Sequence, residues 1–171
     1  MWKSKILTME LMLCNKMLQM DERNFHCWNY RLWVTELYIS EIEKRLAKLD
    51  FKKIQRRFIQ DECDMAEAII NKNFSNYSAW HYRGKLMPLI YREDPGTLYS
   101  LPLEVVQSDL KMLKHAFFTD PKDQSPWNYH EWLISVLTPV QVVALRLEKL
   151  DDEKSIIMIG LSHKVRNFNH L

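Results

Sequence analysis

Glycine is scarce in this 171-residue chain, occurring three times. Sandwiches and barrels use glycine in many tight turns, so that scarcity argues against them. It also leaves no glycine-rich phosphate loop. An excess of one charge is missing too. Twenty-four Lys and Arg against 22 Asp and Glu leave a net +2, so bulk electrostatics demand neither nucleic acid nor an anionic membrane. Cysteine is limited to Cys14, Cys27 and Cys63. An odd count without a C-x-x-C pair makes a poor disulfide framework, and reduced thiols in a cytosolic setting are the simpler expectation. No apolar run reaches the roughly 18–20 residues that span a bilayer. The N-terminal MWKSKILTMELMLCNK carries Glu10 inside its apolar pattern and is expected to form an amphipathic helix, with a secretory signal as the alternative.

What is present is a repeat. DERNFHCWNYR (21–31), NFSNYSAWHYR (73–83) and DPKDQSPWNYH (120–130) share one frame. With Trp28, Trp80 and Trp127 as position zero, Tyr30, Tyr82 and Tyr129 stand at +2, and Arg31, Arg83 and His130 at +3. Asn24, Asn76 and Asp123 stand at −4; Asp21, Asn73 and Asp120 at −7. Upstream, Leu18, Ile70 and Phe117 (−10), Cys14, Ala66 and Leu113 (−14) and Leu11, Cys63 and Leu110 (−17) step by three and four, the spacing of one helical face.

Each unit is therefore expected to be a first helix ending near −9, a polar loop, and a second helix capped by the residue at −4. Pro126 falls in a first turn, where proline is tolerated. The second-helix face continues through Val34, Leu86 and Leu133 at +6 and Leu37, Leu89 and Val136 at +9. Such hairpins stack into a superhelix, and three units are about the minimum for stability. The fold class expected is thus all-α: a right-handed solenoid of helical hairpins in a single domain over 1–150. Residues 40–59 form a charged helical insertion, residues 91–102 a loop, and Thr138 with Pro139 open a last helix to about Leu150. The tail 151–171, containing SIIMIGL, is strand or helix. The first unit starts almost at Met1, which implies a truncated chain or an end covered by a partner.

The frame [DN]-x-x-[ND]-x-x-x-W-[NH]-Y-[RH] resembles the repeat of protein prenyltransferase alpha subunits, and the three stretches are similar to those of the Rab geranylgeranyltransferase (type II) alpha subunit. The resemblance covers roughly residues 8–38, 61–90 and 100–135. It implies a crescent of hairpins around a separate beta subunit that carries the zinc, the lipid diphosphate and most catalytic groups. That enzyme transfers geranylgeranyl groups from geranylgeranyl diphosphate to C-terminal cysteines of Rab GTPases presented by an escort protein. The chain alone is then expected to be inactive and cytoplasmic, with no cofactor of its own. The family's earlier repeats, one with a diphosphate-facing lysine in a PK-x-Y loop, have no counterpart here. Glu131 stands where relatives carry a basic residue, and later immunoglobulin-like and leucine-rich domains are missing. A fragment, a divergent paralogue or a shortened form is implied.

Self-contained zinc chemistry is disfavoured, because the cysteines are far apart and the six histidines show no H-x-x-x-H or H-E-x-x-H spacing. The tryptophans and tyrosines at 0 and +2 are expected in the core, with Arg31, Arg83 and His130 tying neighbouring loops together. Phe25 and His26 are the candidates to face the active site, while Phe25 and Tyr77 share a position that the family turns toward its beta subunit. Arg23, Asn24, Ser75, Asn76, Tyr77 and Asp123 are candidate partner contacts along a row of loops and helix N-termini. The rival is a non-catalytic repeat scaffold that binds a protein or peptide. A further candidate is the basic stretch Lys44–Arg57, which suits nucleic acid, an acidic surface or anionic lipid, or is a solvated face.

Overall fold

The computed structural model describes residues 2–91, 101–137, 142–149 and 155–161. Six helices come first: α1 (Trp2–Met20), α2 (Phe25–Glu43), α3 (Lys48–Lys72), α4 (Tyr77–Tyr91), α5 (Leu103–Thr119) and α6 (Gln124–Leu137). They pair as three antiparallel hairpins, α1–α2, α3–α4 and α5–α6, and α2, α4 and α6 pack side by side. The repeat body is an all-α solenoid. The first helices end at Met20, Lys72 and Thr119, each at offset −8. The next residue leaves the helical region, with Asn73 at φ −148°, ψ 93° and Asp120 at φ −146°, ψ 97°.

The stretch 40–59 is not a separate insertion. It divides between the last turn of α2 and an N-terminal extension that makes α3 25 residues long. Most of the expected loop at 91–102 lies outside the described residues. The last helix expected from Thr138 to Leu150 is wrong. Val142–Lys149 is a strand, β1, paired antiparallel with β2 (Ser155–Leu161), Leu145 opposite Ile159 and Leu147 opposite Ile157. Leu145 and Leu147 alternate with Arg146 and Glu148, and β2 is rich in isoleucine. That period of two and the β-branched content outweigh a cap-and-proline signal upstream.

Two ladders hold the hairpins in line. In the first, the Tyr at +2 of one unit covers the Trp of the unit before it. Tyr82 lies 5.2 Å from Trp28 and Tyr129 lies 4.8 Å from Trp80, ring centroid to centroid. Tyr30 and Trp127 are the two ends of this ladder. They are 42% and 41% exposed, so the expectation of core for both is corrected: a repeat's core is shared with its neighbours. Trp127 stacks instead on Phe117 at 3.8 Å.

The second ladder is ionic, and its acid escaped the sequence reading. A carboxylate at −18, one residue before the apolar −17 position, recurs as Glu10, Glu62 and Asp109. Arg31 Nε and Nη2 donate to Glu62 at 2.7 Å each, and Arg31 Nη1 donates to Leu11 O (3.2 Å) and Asn15 Oδ1 (2.8 Å). Tyr82 Oη donates to the same carboxylate at 2.6 Å and lies 3.0 Å from the Thr35 hydroxyl. One unit on, Arg83 Nη2 donates to Asp109 Oδ1 at 2.6 Å, Arg83 Nη1 to Cys63 O at 3.2 Å, and Tyr129 Oη to Asp109 Oδ2 at 2.6 Å. Arg31, Glu62, Arg83 and Asp109 are all buried. The arginines thus tie helices to helices, not loops to loops. Burial alone lowers their pKa, but the facing carboxylate outweighs it, and both are held more firmly charged. His130 occupies the same offset without a carboxylate; its ring meets Phe117 and Trp127 edge-on.

Around these ladders Val34, Leu86 and Leu133 are fully buried, as are Cys14, Ala66 and Leu113 or nearly so. Leu37, Leu89 and Leu110, expected on the same faces, are 37–39% exposed.

Candidate functional site

The turns between first and second helices are three copies of one elbow. The Asx side chain at −7 makes the turn. Asp21, Asn73 and Asp120 accept through Oδ1 from the backbone N–H two residues on, at Arg23, Ser75 and Lys122, over 3.0, 3.1 and 3.0 Å. The residue at −4 caps the second helix. Asn24 accepts from the Cys27 N–H and Asn76 from the Ala79 N–H, both at 3.1 Å. In the third copy the equivalent residue is Pro126, which has no N–H, and Asp123 accepts one residue earlier, from Ser125 at 2.8 Å. Finally the tryptophan indole reaches back six residues. Trp28 donates to Glu22 O, Trp80 to Phe74 O and Trp127 to Pro121 O, at 2.8, 2.8 and 2.9 Å.

The elbows also touch one another. The Glu22 carboxylate accepts from Lys72 Nζ and Asn73 Nδ2, both at 2.9 Å. Asn76 Nδ2 donates to Glu22 O at 2.6 Å, and Arg23 Nη2 to Asn73 Oδ1 at 3.5 Å. Ser125 Oγ donates to Ser75 O at 3.4 Å. The Asn73 bond, then Lys72, hold Glu22 below the usual carboxyl range. Burial pushes Asp123 up, but hydrogen bonds from Ser75 and Ser125 outweigh it and its pKa is lowered. The three elbows thus form one continuous row.

The candidates sort clearly along it. Phe25, His26 and Tyr77 point outward and are exposed. The Phe25 and His26 rings meet at a tilt, centroids 3.9 Å apart, and Tyr77 stacks on His81 at 5.8 Å. Arg23 and Ser75 are exposed as well; Asn24 and Asp123 are half-buried caps. Asn76 is 1% exposed; its Nδ2 donates to Glu22 O and its Oδ1 accepts from the Ala79 N–H. It positions the row and cannot be a direct partner contact.

Beside the row lie two hollows between second helices. One, of about 330 Å³, lies between α2 and α4 and is lined by Phe25, Trp28, Tyr77 and His81, among others. The next, of about 360 Å³, lies between α4 and α6, lined among others by Tyr77, His81, Lys85, Tyr129 and Trp132. His81, shared by both, was missed from sequence. Its one signal is position: a histidine at +1 where the other units carry Asn29 and Asn128. Burial, and then Lys85, lower its pKa, so the ring is neutral near pH 7.

Among the described residues no group of three or more His, Cys, Asp or Glu could hold a metal ion. Burial pushes the Cys14 and Cys63 thiols up to about 11 and about 12, so neither is a ready thiolate nucleophile. Among the described residues no helix is long and apolar enough to cross a membrane. Aromatic rings, one neutral imidazole and rigid polar elbows make a recognition surface.

Comparison with known proteins agrees. Residues 7–38, 59–90 and 106–137 match the protein prenyltransferase alpha subunit repeat. The human geranylgeranyl transferase type-2 subunit alpha is 37% identical over 157 residues, 91% of this chain and 24% of the relative. The rat protein of the same name is 40% identical over 135 residues, 78% of this chain and 21% of the relative. The Schizosaccharomyces pombe protein is 36% identical over 138 residues, 80% of this chain and 37% of the relative. The chain spans about a quarter of the length of the mammalian relatives it matches.

Proposed function

Since the chain belongs to the protein prenyltransferase alpha subunit family, we propose that its elbow row holds a prenyltransferase beta subunit, and that the pair transfers geranylgeranyl groups to C-terminal cysteines of Rab GTPases. The observation that carries this is the row itself: three elbows built on one frame, hydrogen-bonded to each other, with Phe25, His26 and Tyr77 left outward. A surface whose backbone and caps are already satisfied loses little entropy on docking. Exposed aromatics on such a rigid support are favoured anchors.

The division of labour is the one the family resemblance implies. The lipid diphosphate and the zinc-bound thiolate belong to the beta subunit, with zinc supplying a Lewis acid and a stabilised thiolate there. This chain contributes position. Phe25 and His26 border the site at the first elbow, and Arg23, Ser75 and Tyr77 make the contacts along the row. Rab with its escort protein is the substrate, and the cytoplasm is the place of action.

The test mixes the chain with a type II beta subunit, geranylgeranyl diphosphate, Rab and escort protein. A stable complex and lipid transfer to Rab, with none from either subunit alone, support the proposal. A chain that binds no prenyltransferase beta subunit overturns it and favours a repeat scaffold.

A further inference from the structure

The basic stretch is not absorbed by that function. It lies outside the matched repeats, between residues 38 and 59, and its part from residue 48 on folds as the continuous first turns of α3. Phe51 and Ile59 are buried and fix this part of the helix against the body. Lys52, Lys53, Arg56 and Arg57 face the other way and are exposed. Lys52–Arg56 and Lys53–Arg57 are like-charge pairs one helical turn apart, which destabilise a helix by a few tenths of a kcal/mol each. Among the described residues none of the four is in an ion pair. Arg45, by contrast, is neutralised by Glu41 at 2.5 Å.

These cations border a hollow of about 830 Å³ between α3 and the end of α4, with Tyr91 on its far wall and Asp61 as the one acidic residue among its described lining. Repelling cations held around a concavity, outnumbering the one carboxylate in its described lining by four to one, suit an anion from outside. The four span about 8 Å along the helix axis at 1.5 Å per residue. That footprint is too short for a nucleic acid duplex, which needs an extended basic stripe. Two arginine forks beside two lysine ammoniums match several phosphate oxygens at close quarters.

We propose that this hollow binds a compact anion carrying two or more phosphate groups, either a free polyphosphorylated small molecule or the headgroup of a polyphosphorylated lipid. The site is independent of the elbow row and of the proposed transferase function.

The test is calorimetric titration of the whole chain with inositol hexakisphosphate. The comparison is between K52Q/K53Q/R56Q/R57Q and K16Q/K111Q/K114Q/K122Q, which removes four exposed cations elsewhere. The first variant is expected to weaken binding at least about tenfold, since each lost charge-assisted bond counts for about a factor of ten or more; the second is expected to stay within about twofold. Because the first variant removes like-charge repulsion, its unfolding midpoint is expected to hold or rise, which separates lost binding from lost fold. Flotation with phosphatidylcholine vesicles, with and without phosphatidylinositol bisphosphate, distinguishes a lipid source from a free one. Equal weakening by both variants, no binding, or tighter binding of poly-glutamate or RNA than of the hexakisphosphate would each overturn the proposal.

Discussion

The two seams between repeats each join an arginine, a carboxylate and a tyrosine, and reach different results. In the first, Glu62 is long enough to take both Arg31 Nε and Nη2 while also accepting from Tyr82. In the second, Asp109 is one methylene shorter. One oxygen takes Arg83 Nη2, the other takes Tyr129, and Arg83 Nε is buried without a partner. The second seam compensates with a further carboxylate, Glu67, 3.3 Å from Arg83 Nη1. A third instance, Glu10 with Tyr30 at 3.1 Å, is exposed and has no arginine among its described partners. A ladder built on one frame, with Glu in one seam and Asp in the next, therefore carries rungs of unequal strength, decided by one methylene and by burial.

Breaking the rungs should reproduce that order. Glu62→Ala strands Arg31 without any carboxylate and is expected to cost about 3–5 kcal/mol, as removal of one partner from a buried pair does. Asp109→Ala should cost less, because Glu67 remains beside Arg83. Urea unfolding followed by circular dichroism reads both; equal losses would contradict the compensation. Glu62→Asp transplants the second seam's geometry into the first. It should leave Arg31 Nε unpaired, at about 1–3 kcal/mol for a buried unsatisfied donor.

Smaller effects test the exposed ends and elbows. Glu10→Gln is expected to change stability by less than about 0.5 kcal/mol, as surface pairs do. At the elbows, Glu22 has a lowered folded pKa against the ordinary 4.5. Its contribution is therefore fully present above 4.5 and lost as pH falls through the folded value. The stability difference between the chain and Glu22→Gln should be constant near neutrality and shrink as pH drops below that point. A difference that grows in acid would reverse the assignment.

The helices, caps and elbows were legible because they rest on local rules: apolar steps of three and four, an Asx cap, and a tryptophan in fixed register. The acids at −18 were hidden for the opposite reason. Glu10, Glu62 and Asp109 look like ordinary solvated helix carboxylates until the preceding repeat brings an arginine to two of them. Tyr30 and Trp127 misled because a residue's burial in a stacked repeat is decided by a neighbour distant in sequence. The strand at Val142–Lys149 was masked by Thr138 and Pro139, a helix-opening signal that stands just before a period-two pattern. At the site, Phe25, His26 and Tyr77 were readable from the repeat frame. His81 was not, since a histidine beside a conserved-looking tryptophan carries no sign of which groove it lines.

The outward rings of the elbow row decide the functional claim most directly. Phe25 and Tyr77 are 55% and 51% exposed, so Phe25→Ala with Tyr77→Ala should leave the unfolding midpoint unchanged. Titration of this double variant against a type II prenyltransferase beta subunit is expected to show binding weakened at least about a hundredfold, the scale of two aromatic anchors lost from an interface. A folded variant that binds the beta subunit as tightly as the unaltered chain would contradict the claim that the elbows are where this protein docks.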